Sequence, residues 1–380
     1  MIKSAGGLRS VAAVMAGAGI AWGGLSYVAL TIGVLTDGYH VSLALATLLA
    51  TIELGAMALT VMTAAYAFRI VSVTRLGVVG GGVAGTANLL TAFATDPIVI
   101  GVLRAVAGAG FGWMAAGLNT SLSRSPDPQR LFMLANFGNI MSAAVFFAVM
   151  PMIYEHTSIP VYFVAYGAMC LGCAALMGWL PDWAPTAEVE TRSADNSRPG
   201  ARIGVFLAVC LVWLCYAAVW SLIERFGRHI GMTEEAVGRS LGLGTLFGLI
   251  GAAAAVWLAG RIRPMGPLIF TCLTTGLCYF WLAFCRDGVV YTWILCIWGV
   301  VFCPILAYAF AVGAELDPSG ALVRLMSGGI AITTAVGPVV GDRLAEVFGY
   351  RGMGVVTFAG STVACLGLAA LKTGEVEAQR

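Results

Sequence analysis

The sequence predicts an all-α integral membrane protein with twelve transmembrane helices in two six-helix bundles. Of its 380 residues, 59% are hydrophobic and 11% are charged, and the mean hydropathy is +0.90. A soluble domain of this length has no way to hide so much apolar surface from water. The apolar residues form continuous runs of about 20, the length that a helix needs to cross a bilayer. A transmembrane barrel would instead show alternating segments of about ten residues.

Twelve apolar runs follow one another, separated by short polar segments, and we number them as spans 1 to 12. They cover residues 11–35, 42–66, 76–95, 97–121, 132–152, 160–180, 203–223, 240–260, 267–285, 289–313, 322–341 and 352–371. The first run follows Lys3 and Arg9, as a signal peptide would. Its length exceeds the apolar core of a signal peptide and no clear cleavage site follows, so we expect it to remain as span 1.

Basic residues in short loops stay on the cytoplasmic side of a membrane and predict the orientation of the chain. With the amino terminus inside, fourteen lysines and arginines fall in inner segments and six in outer loops. We therefore expect both termini in the cytoplasm of a bacterium and a multi-pass protein in its cytoplasmic (inner) membrane. The net charge of +2 is spread through these loops rather than gathered in a patch, so no nucleic-acid partner is expected.

The longest polar stretch inside the chain, from about Pro181 to Arg202, is rich in proline and charge. It predicts a cytoplasmic linker at residues 182–202. The linker divides an amino-terminal six-helix bundle, residues 1–181, from a carboxy-terminal one, residues 203–380.

The two halves also repeat each other weakly. Ser125-Pro126-Asp127-Pro128 follows span 4, and Glu315-Leu316-Asp317-Pro318 follows span 10 about 190 residues later. A parallel 6+6 repeat with a cytoplasmic linker resembles the layout of major facilitator superfamily transporters. The run from Leu103 to Gly110, with Arg104 followed by glycines, resembles motif B of that superfamily. Gly337-Pro338-Val339-Val340-Gly341 in span 11 resembles a pattern of its bacterial drug-exporter-like branch.

Two other motifs of the superfamily are altered in this chain. Motif A, with the pattern Gly-x-x-x-Asp-Arg-x-Gly-Arg-Arg, is replaced by the segment Ala64 to Val73, in which Arg69 is the convincing match. Span 5 carries the segment Gly138 to Ala144 in place of the Gly-Pro-rich motif C of proton antiporters. The span 11 pattern favours efflux and the missing motif C favours uptake, so the sequence leaves both directions open.

Two charges lie deep in the predicted spans, Glu53 in span 2 and Arg104 in span 4. An arginine at membrane depth costs about 3 kcal/mol on insertion scales, so it usually faces a bundle interior or a wet cavity. The depths of the two residues differ by roughly 6 Å, which two long side chains can bridge. Apolar surroundings favour a protonated carboxyl and a nearby guanidinium favours an ionised one. Movement between two conformations would therefore let Glu53 bind and release a proton.

The same two charges have other interpretations. Glu53 and Arg104 could form a fixed structural pair, or Arg104 could bind backbone carbonyls of the glycine-rich span 1. Arg104 could also receive an anionic group of a substrate.

Aromatic residues of span 7 are the main candidates for solute binding. Trp213, Tyr216, Trp220 and Glu224 are spaced at i, i+3, i+7 and i+11, which places them on one helical face. This face could hold an aromatic or cationic solute, or it could face lipid with an interfacial tryptophan.

The resemblance implies further binding candidates, because helices 1, 4, 7 and 10 line the cavity in the superfamily. These candidates are Trp22 and Ser26 in span 1, Arg104 in span 4 and Tyr308 in span 10. Asn136 and Asn139 lie one turn apart in span 5 and would either bind substrate or bridge helices.

The sequence predicts neither an enzyme nor a bound cofactor or metal. No base, nucleophile and orienting group occur together at membrane depth. The chain has no nucleotide-binding run, so its energy is expected to come from an ion or solute gradient. Because Glu53 is the candidate proton carrier, a proton gradient is the expected source. His40, His156 and His229 fall near outer ends of spans. They could bind zinc if they met in space or sense an acidic exterior, but solvated loop residues are the favoured interpretation. The ten cysteines lie in or beside spans and form no disulfide framework.

The sequence therefore predicts a secondary active transporter, expected as a monomer in the lipid bilayer, that moves a small organic solute by alternating access. Protons would be coupled through Glu53 and Arg104. There are two alternatives. One is a uniporter, and the other is a non-transporting receptor or assembly factor that retains the fold.

Overall fold

A computed structural model describes residues 7–67, 71–125, 127–156, 160–181, 199–258, 261–317 and 320–378. Helices dominate these ranges, and no strand occurs within them. The predicted linker, apart from residues 199–202, lies outside the described residues, as do Arg69 of the altered motif A and the side chain of His156. The chain forms two compact units, Met1–Ala187 and Glu188–Arg380.

The first unit contains spans 1 to 6. They are the helices Gly7–Ala21 with Gly23–Ser26 and Val28–Asp37, Leu43–Ala67, Val73–Thr91, Pro97–Ser123, Pro128–His156 and Pro160–Met177. Span 4 begins as its sequence requires, because the Asp96 carboxylate accepts a hydrogen bond from the backbone N–H of Ile98 at 2.7 Å. Pro97, which has no N–H to leave unsatisfied, stands at the first helical position.

The second unit contains spans 7 to 12. They are the helices Pro199–Ser221 with Ile223–His229, Glu234–Leu258, Met265–Phe284, Gly288–Phe302 with Ile305–Leu316, and Ala321–Ala378. The last of these holds spans 11 and 12, which are separated at Gly349. Gly349 has a φ of 67° and a ψ of 174°, a conformation that is essentially limited to glycine.

The structure confirms the prediction of an all-α membrane protein with twelve spans. Among the described residues, nine helices are long and apolar enough to cross a membrane, and one of them, Ala321–Leu371, contains both span 11 and span 12. Span 1 is divided into shorter apolar pieces, and span 3 is the less apolar helix Val73–Thr91.

Three spans predicted as continuous helices are interrupted. Span 10 breaks between Phe302 and Ile305, because Pro304 lacks an N–H and clashes with the preceding turn. Span 1 breaks at Trp22 and Tyr27, on either side of a glycine pair that favours helix poorly.

Hydroxyl groups hold the broken backbone at two of these places. In span 1, the Tyr27 hydroxyl donates to the carbonyl of Gly19 at 2.9 Å. Span 7 breaks at Leu222, where the carbonyl of Ile223 accepts from the Tyr291 hydroxyl at 2.8 Å. A buried carbonyl without a partner would be costly at membrane depth, so these tyrosines stabilise the breaks.

Equivalent helices pack together in each unit. Spans 1 and 5, 2 and 4, and 3 and 6 are in contact in the first unit, and spans 7 and 11, 8 and 10, and 9 and 12 in the second. Glycines mark these contacts: Gly85 of span 3 faces Gly167 of span 6, and Gly276 of span 9 faces Phe358 of span 12. Both residues of the second pair lie 191 positions after those of the first, so the weak sequence repeat corresponds to a repeated packing register.

Candidate functional site

Arg104 of span 4 is fully enclosed by protein, with no exposed surface. Its Nη2 atom donates to Asn88 Oδ1 at 3.0 Å and to Thr91 Oγ1 at 2.7 Å, both in span 3. Its Nη1 atom lies 3.4 Å from Glu53 Oε2 in span 2. The ring centre of Phe163 in span 6 lies 4.9 Å from the guanidinium carbon. Three neighbouring spans therefore hold the guanidinium inside the first bundle.

The two acceptors in span 3 are oriented by the backbone of their own helix. Asn88 Nδ2 donates to the carbonyl of Ala84 at 2.8 Å, and the Thr91 hydroxyl donates to the carbonyl of Ala87 at 2.7 Å. Because these donor groups are engaged, Asn88 Oδ1 and the lone pairs of Thr91 Oγ1 are directed to Arg104.

Asn88 and Thr91 were not among the residues predicted from the sequence. The available signal was the spacing of two polar residues one turn apart in an apolar span. The interpretation that Arg104 binds backbone carbonyls of span 1 differs from the contacts observed, which are made to side chains of spans 2 and 3.

Glu53 is 3% exposed and pairs with Arg104 at the long end of hydrogen-bond distances. The close approach of spans 2 and 4 brings the two residues together. A Cβ added to Gly108 would lie 1.9 Å from the carbonyl oxygen of Glu53, so a larger residue cannot fit there without moving a helix. The two deep charges found in the sequence thus form a buried pair in the structure.

A glycine pair and a tyrosine adjoin this ion pair. A Cβ added to Gly24 would lie 3.5 Å from Glu53 Oε1, and one added to Gly23 would lie 2.6 Å from the Tyr166 hydroxyl oxygen. The Tyr166 hydroxyl is buried and has no hydrogen-bond partner among the described residues. The interrupted part of span 1 therefore contacts both the carboxylate and an unpartnered hydroxyl group.

The aromatic stripe of span 7 packs against spans 10 and 11. The ring of Tyr216 stacks on Phe302 with centres 3.9 Å apart, and Trp220 stacks on Tyr216 with centres 6.0 Å apart. Trp213 Nε1 donates to Thr334 Oγ1 in span 11 at 2.8 Å. Trp213 and Tyr216 are each 7% exposed, so the interpretation of a lipid-facing stripe is wrong for both.

Trp298 and Phe302 of span 10 complete this aromatic cluster and were not predicted. The ring centre of Trp298 lies 6.0 Å from that of Tyr216 and 5.8 Å from that of Trp220. Trp298 Nε1 is buried without a hydrogen-bond partner among the described residues. The spacing of two large aromatic residues one turn apart was the signal available in the sequence.

Glu224 is separated from the stripe by the break in span 7. The prediction of one helical face from Trp213 to Glu224 is wrong at its outer end, because the helix ends at Ser221 and a new one begins at Ile223. Glu224 Oε2 lies 3.1 Å from Arg225 Nε. Glu224 is 3% exposed and therefore belongs to a buried ion pair at the end of span 7.

The other candidate residues differ in how far they are exposed. Trp22 and Ser26 are half-buried at the break in span 1, and Tyr308 is 9% exposed in the second piece of span 10. Asn136 is exposed, whereas Asn139 is half-buried and its Oδ1 atom has no hydrogen-bond partner in the described part of the chain.

The histidines and cysteines show no metal or disulfide chemistry in the described ranges. His40 and His229 are exposed. Within those ranges no three histidine, cysteine, aspartate or glutamate side chains come together as metal ligands would, and the cysteines are free thiols.

The chain is similar to known membrane transporters in sequence pattern and in fold. The sequence model of the Major Facilitator Superfamily matches residues 11–319. No curated protein sequence matches the chain. The solved structure of the nucleoside transporter NupG aligns over 96% of this chain and 99% of its own, with a TM-score of 0.73 and 11% identity. A point mutant of NupG aligns over 95% and 98%, with a TM-score of 0.74 and 10% identity.

A third solved structure is a bacterial homolog of the human lysosomal transporter Spinster, in an inward-facing and unoccupied conformation. It aligns over 97% of both chains, with a TM-score of 0.70 and 11% identity. At such identities the likeness shows a shared fold.

Proposed function

We propose that this chain, a membrane transporter that belongs to the major facilitator superfamily, moves a small organic solute by proton-coupled alternating access. The observation that carries the proposal is the buried pair of Glu53 and Arg104. Ionisable groups within membrane spans are costly and mark ion pathways, proton relays or substrate contacts. Glu53 is the proton carrier in this proposal, and Arg104 sets how readily it is protonated.

The geometry around Glu53 supports exchange of a proton. Burial favours its neutral form and Arg104 favours its ionised form, so the two influences oppose each other. At 3.4 Å the contact is longer than a strong charge-assisted hydrogen bond, so a small movement of span 2 or span 4 would change the balance. Arg104 is enclosed in this conformation and presents no surface to a solute, which favours the coupling role over substrate binding.

The proton gradient is the proposed energy source. Moving one proton through 100 mV releases about 2.3 kcal/mol, which supports roughly 50-fold accumulation of a neutral solute at perfect coupling. A single carboxylate is sufficient for this. We place the protein in the bacterial inner membrane as a monomer with both termini in the cytoplasm, and the proposal applies to either efflux or uptake.

We assign solute contact to the aromatic residues of spans 7 and 10. Tyr216, Trp220 and Phe302 stack in sequence, and Trp220 and Phe302 are partly exposed. Aromatic faces bind planar or cationic solutes. Trp213, Tyr308, Trp22 and Ser26 are further candidates for contact with the solute, as are Asn136 and Asn139.

The proposal is tested with purified protein in proteoliposomes. A thermal-shift screen of nucleosides, organic acids, amines and sugars identifies the solute, because a ligand that binds the folded state raises its melting temperature. An imposed pH gradient should then drive accumulation of that solute. Glu53→Gln should abolish gradient-driven accumulation and retain exchange of solute across the membrane.

The matched control is Glu346→Gln, which removes an exposed carboxylate whose side chain is 61% accessible. It should accumulate solute as the native protein does. Flux that ignores the gradient, together with native behaviour of Glu53→Gln, would instead identify a uniporter.

A further inference from the structure

We infer that Asn88 and Thr91 are positioning residues that hold Arg104 in place while Glu53 gains and loses its proton. The inference rests on the proton coupling proposed above and goes beyond it, because it assigns the control of Glu53 to two neutral side chains of span 3. They act through Arg104 and touch neither the proton nor the solute.

The three polar contacts of the Arg104 guanidinium differ in length. The two short ones, at 2.7 and 3.0 Å, join Nη2 to Thr91 and Asn88, and the longer one, at 3.4 Å, joins Nη1 to Glu53. Nε has no hydrogen-bond partner among the described residues. The guanidinium is thus anchored by neutral acceptors rather than by the carboxylate.

This arrangement keeps the buried guanidinium hydrogen-bonded when Glu53 takes up a proton. If Glu53 were the main partner of Arg104, protonation would remove the counter-charge of a buried guanidinium and weaken its main hydrogen bond, which is unfavourable. Because Asn88 and Thr91 accept whether Glu53 is charged or neutral, Arg104 keeps two hydrogen bonds in both states. Glu53 can therefore change its protonation without releasing the arginine.

The two anchors are themselves fixed. Asn88 and Thr91 are 0% exposed, and each donates to a carbonyl of its own helix, Ala84 or Ala87. Rotation of either side chain away from Arg104 would break two hydrogen bonds at once at positions that are fully enclosed by protein. Span 3 thereby sets the position of the guanidinium and, through it, the distance to Glu53.

Arg104 is the charged group that faces Glu53 in the described structure. The other titratable groups near Glu53 are the phenols of Tyr162 and Tyr166 and the thiol of Cys170, all on span 6. Freed from span 3, the guanidinium would turn to Glu53 for a closer contact and would favour the ionised carboxylate more strongly. Loss of either anchor should therefore lower the pH at which Glu53 becomes protonated.

The second bundle supports a specific role for this pair. In the repeated register, Asn88 corresponds to Tyr279, Thr91 to Leu282 and Arg104 to Leu295. Span 9 packs beside span 10 with a tyrosine and a leucine at these two positions, so the fold does not require the pair of asparagine and threonine there. The polar pair occurs in the half that carries the buried arginine.

The test measures the protonation of Glu53 directly in the full-length protein in lipid. The infrared absorption of its carboxyl group, assigned by its loss in Glu53→Gln, is followed as a function of pH. Asn88→Leu and Thr91→Val should each move the midpoint about 0.5 to 1 pH unit lower, as expected for one hydrogen bond. Thr91→Ser keeps the hydroxyl and should restore the native midpoint.

Thr86→Val is the matched control, because it removes an exposed hydroxyl from the same helix. Its midpoint should equal that of the native protein. Native midpoints in both Asn88→Leu and Thr91→Val, or shifts to higher pH, would overturn the inference. If only one of them folds, its midpoint decides the question together with Thr91→Ser.

This readout separates the inference from the proposed function. Solute flux that ignores the pH gradient would refute proton coupling even if the infrared midpoints shift as expected. Gradient-driven flux with unshifted midpoints would refute the positioning role and leave proton coupling intact.

Discussion

Span 2 packs on span 4 in the first bundle as span 8 packs on span 10 in the second, but the two contacts bury different chemistry. A Cβ added to Gly108 would lie 1.9 Å from the carbonyl oxygen of Glu53, and one added to Gly299 would lie 2.0 Å from that of Gly244. Both residues of the second pair follow those of the first by 191 positions. In the same register Arg104 corresponds to Leu295, so an ion pair in one bundle is replaced by glycine and leucine in the other.

This difference shows which features belong to the fold. The second bundle forms the same helix contact without a charge, so close packing through glycine is sufficient to join the two spans. A buried ion pair is weak support for stability, because desolvation of both charges offsets their attraction. The pair of Glu53 and Arg104 is therefore better explained by the proposed proton coupling than by packing.

The aromatic clusters of the two bundles differ in how much ring surface they expose. In the first bundle, Tyr27 stacks on Phe146 and both are at most 2% exposed. In the second, Tyr216 stacks on Phe302 and Trp220, and the latter two are partly exposed. The first cluster is a closed core and the second offers ring surface, which fits a proposed division of proton coupling and solute contact between the halves.

The largest expected effect comes from removing the charge that distinguishes the halves. Arg104→Met leaves Glu53 buried without a counter-charge, which favours its protonated form throughout the transport cycle. We expect gradient-driven transport to fall by about 100-fold or more, because a carboxyl that stays protonated cannot release the coupled proton. Initial rates of solute accumulation in proteoliposomes measure this.

The equivalent change in the second bundle is Leu295→Met, which conserves volume at a 4% exposed position. It should transport within about twofold of the native protein, because the swap conserves volume and leaves the charges of the ion pair in place. Equal losses in the two variants would show that the comparison reflects packing rather than charge.

An intermediate effect should be shared by the two halves. Gly108→Ala and Gly299→Ala each place a Cβ about 2 Å from a carbonyl oxygen of the facing helix. Each should destabilise the protein by about 1–3 kcal/mol, the range for overpacking. Thermal unfolding in detergent measures the loss, and Gly55→Ala is the control, because no atom lies within 4 Å of its added Cβ. A loss of stability in only one of these two variants would show that the two helix contacts are not equivalent.

The sequence predicted what depends on local composition. The twelve spans follow from runs of about 20 apolar residues, and the opposition of Glu53 and Arg104 followed from their similar depths in helices that run in the same direction. The break at Pro304 interrupts the helix in the middle of an apolar run, and hydropathy alone does not detect such an interruption. Apolar composition identifies a span whether or not its helix is continuous.

The partners of Arg104 could not be predicted in the same way. Asn88 and Thr91 contact Arg104 because span 3 packs beside span 4, a long-range arrangement that no local pattern specifies. Binding of Arg104 to backbone carbonyls of span 1 was one of the alternatives, and it was reasonable for a glycine-rich helix. It was wrong because the break in span 1 directs Gly23 and Gly24 to Tyr166 and Glu53 instead.

The smallest expected effects concern the polar contacts between equivalent helix pairs. The Tyr27 hydroxyl lies 3.2 Å from Ser142 Oγ and joins spans 1 and 5, and the indole of Trp213 joins spans 7 and 11 through Thr334. Tyr27→Phe removes the bonds to Gly19 and Ser142 and should lower the free energy of unfolding by about 1–2 kcal/mol. Trp213→Phe should lower it by about 1 kcal/mol through one lost hydrogen bond, with a further loss of ring contact. Trp293→Phe, at a 58% exposed position, is the control.

Solute binding should distinguish the two variants, Tyr27→Phe and Trp213→Phe, even where their losses of stability are similar. Tyr27→Phe should leave the solute-induced rise in melting temperature unchanged, because its ring belongs to the closed core of the first bundle. Trp213→Phe should reduce that rise, because Trp213 packs on Tyr216 and Phe302 and fixes their position. If Tyr27→Phe reduced the rise as much as Trp213→Phe, the closed core would also shape the solute site, and the division of roles between the halves would have to be abandoned.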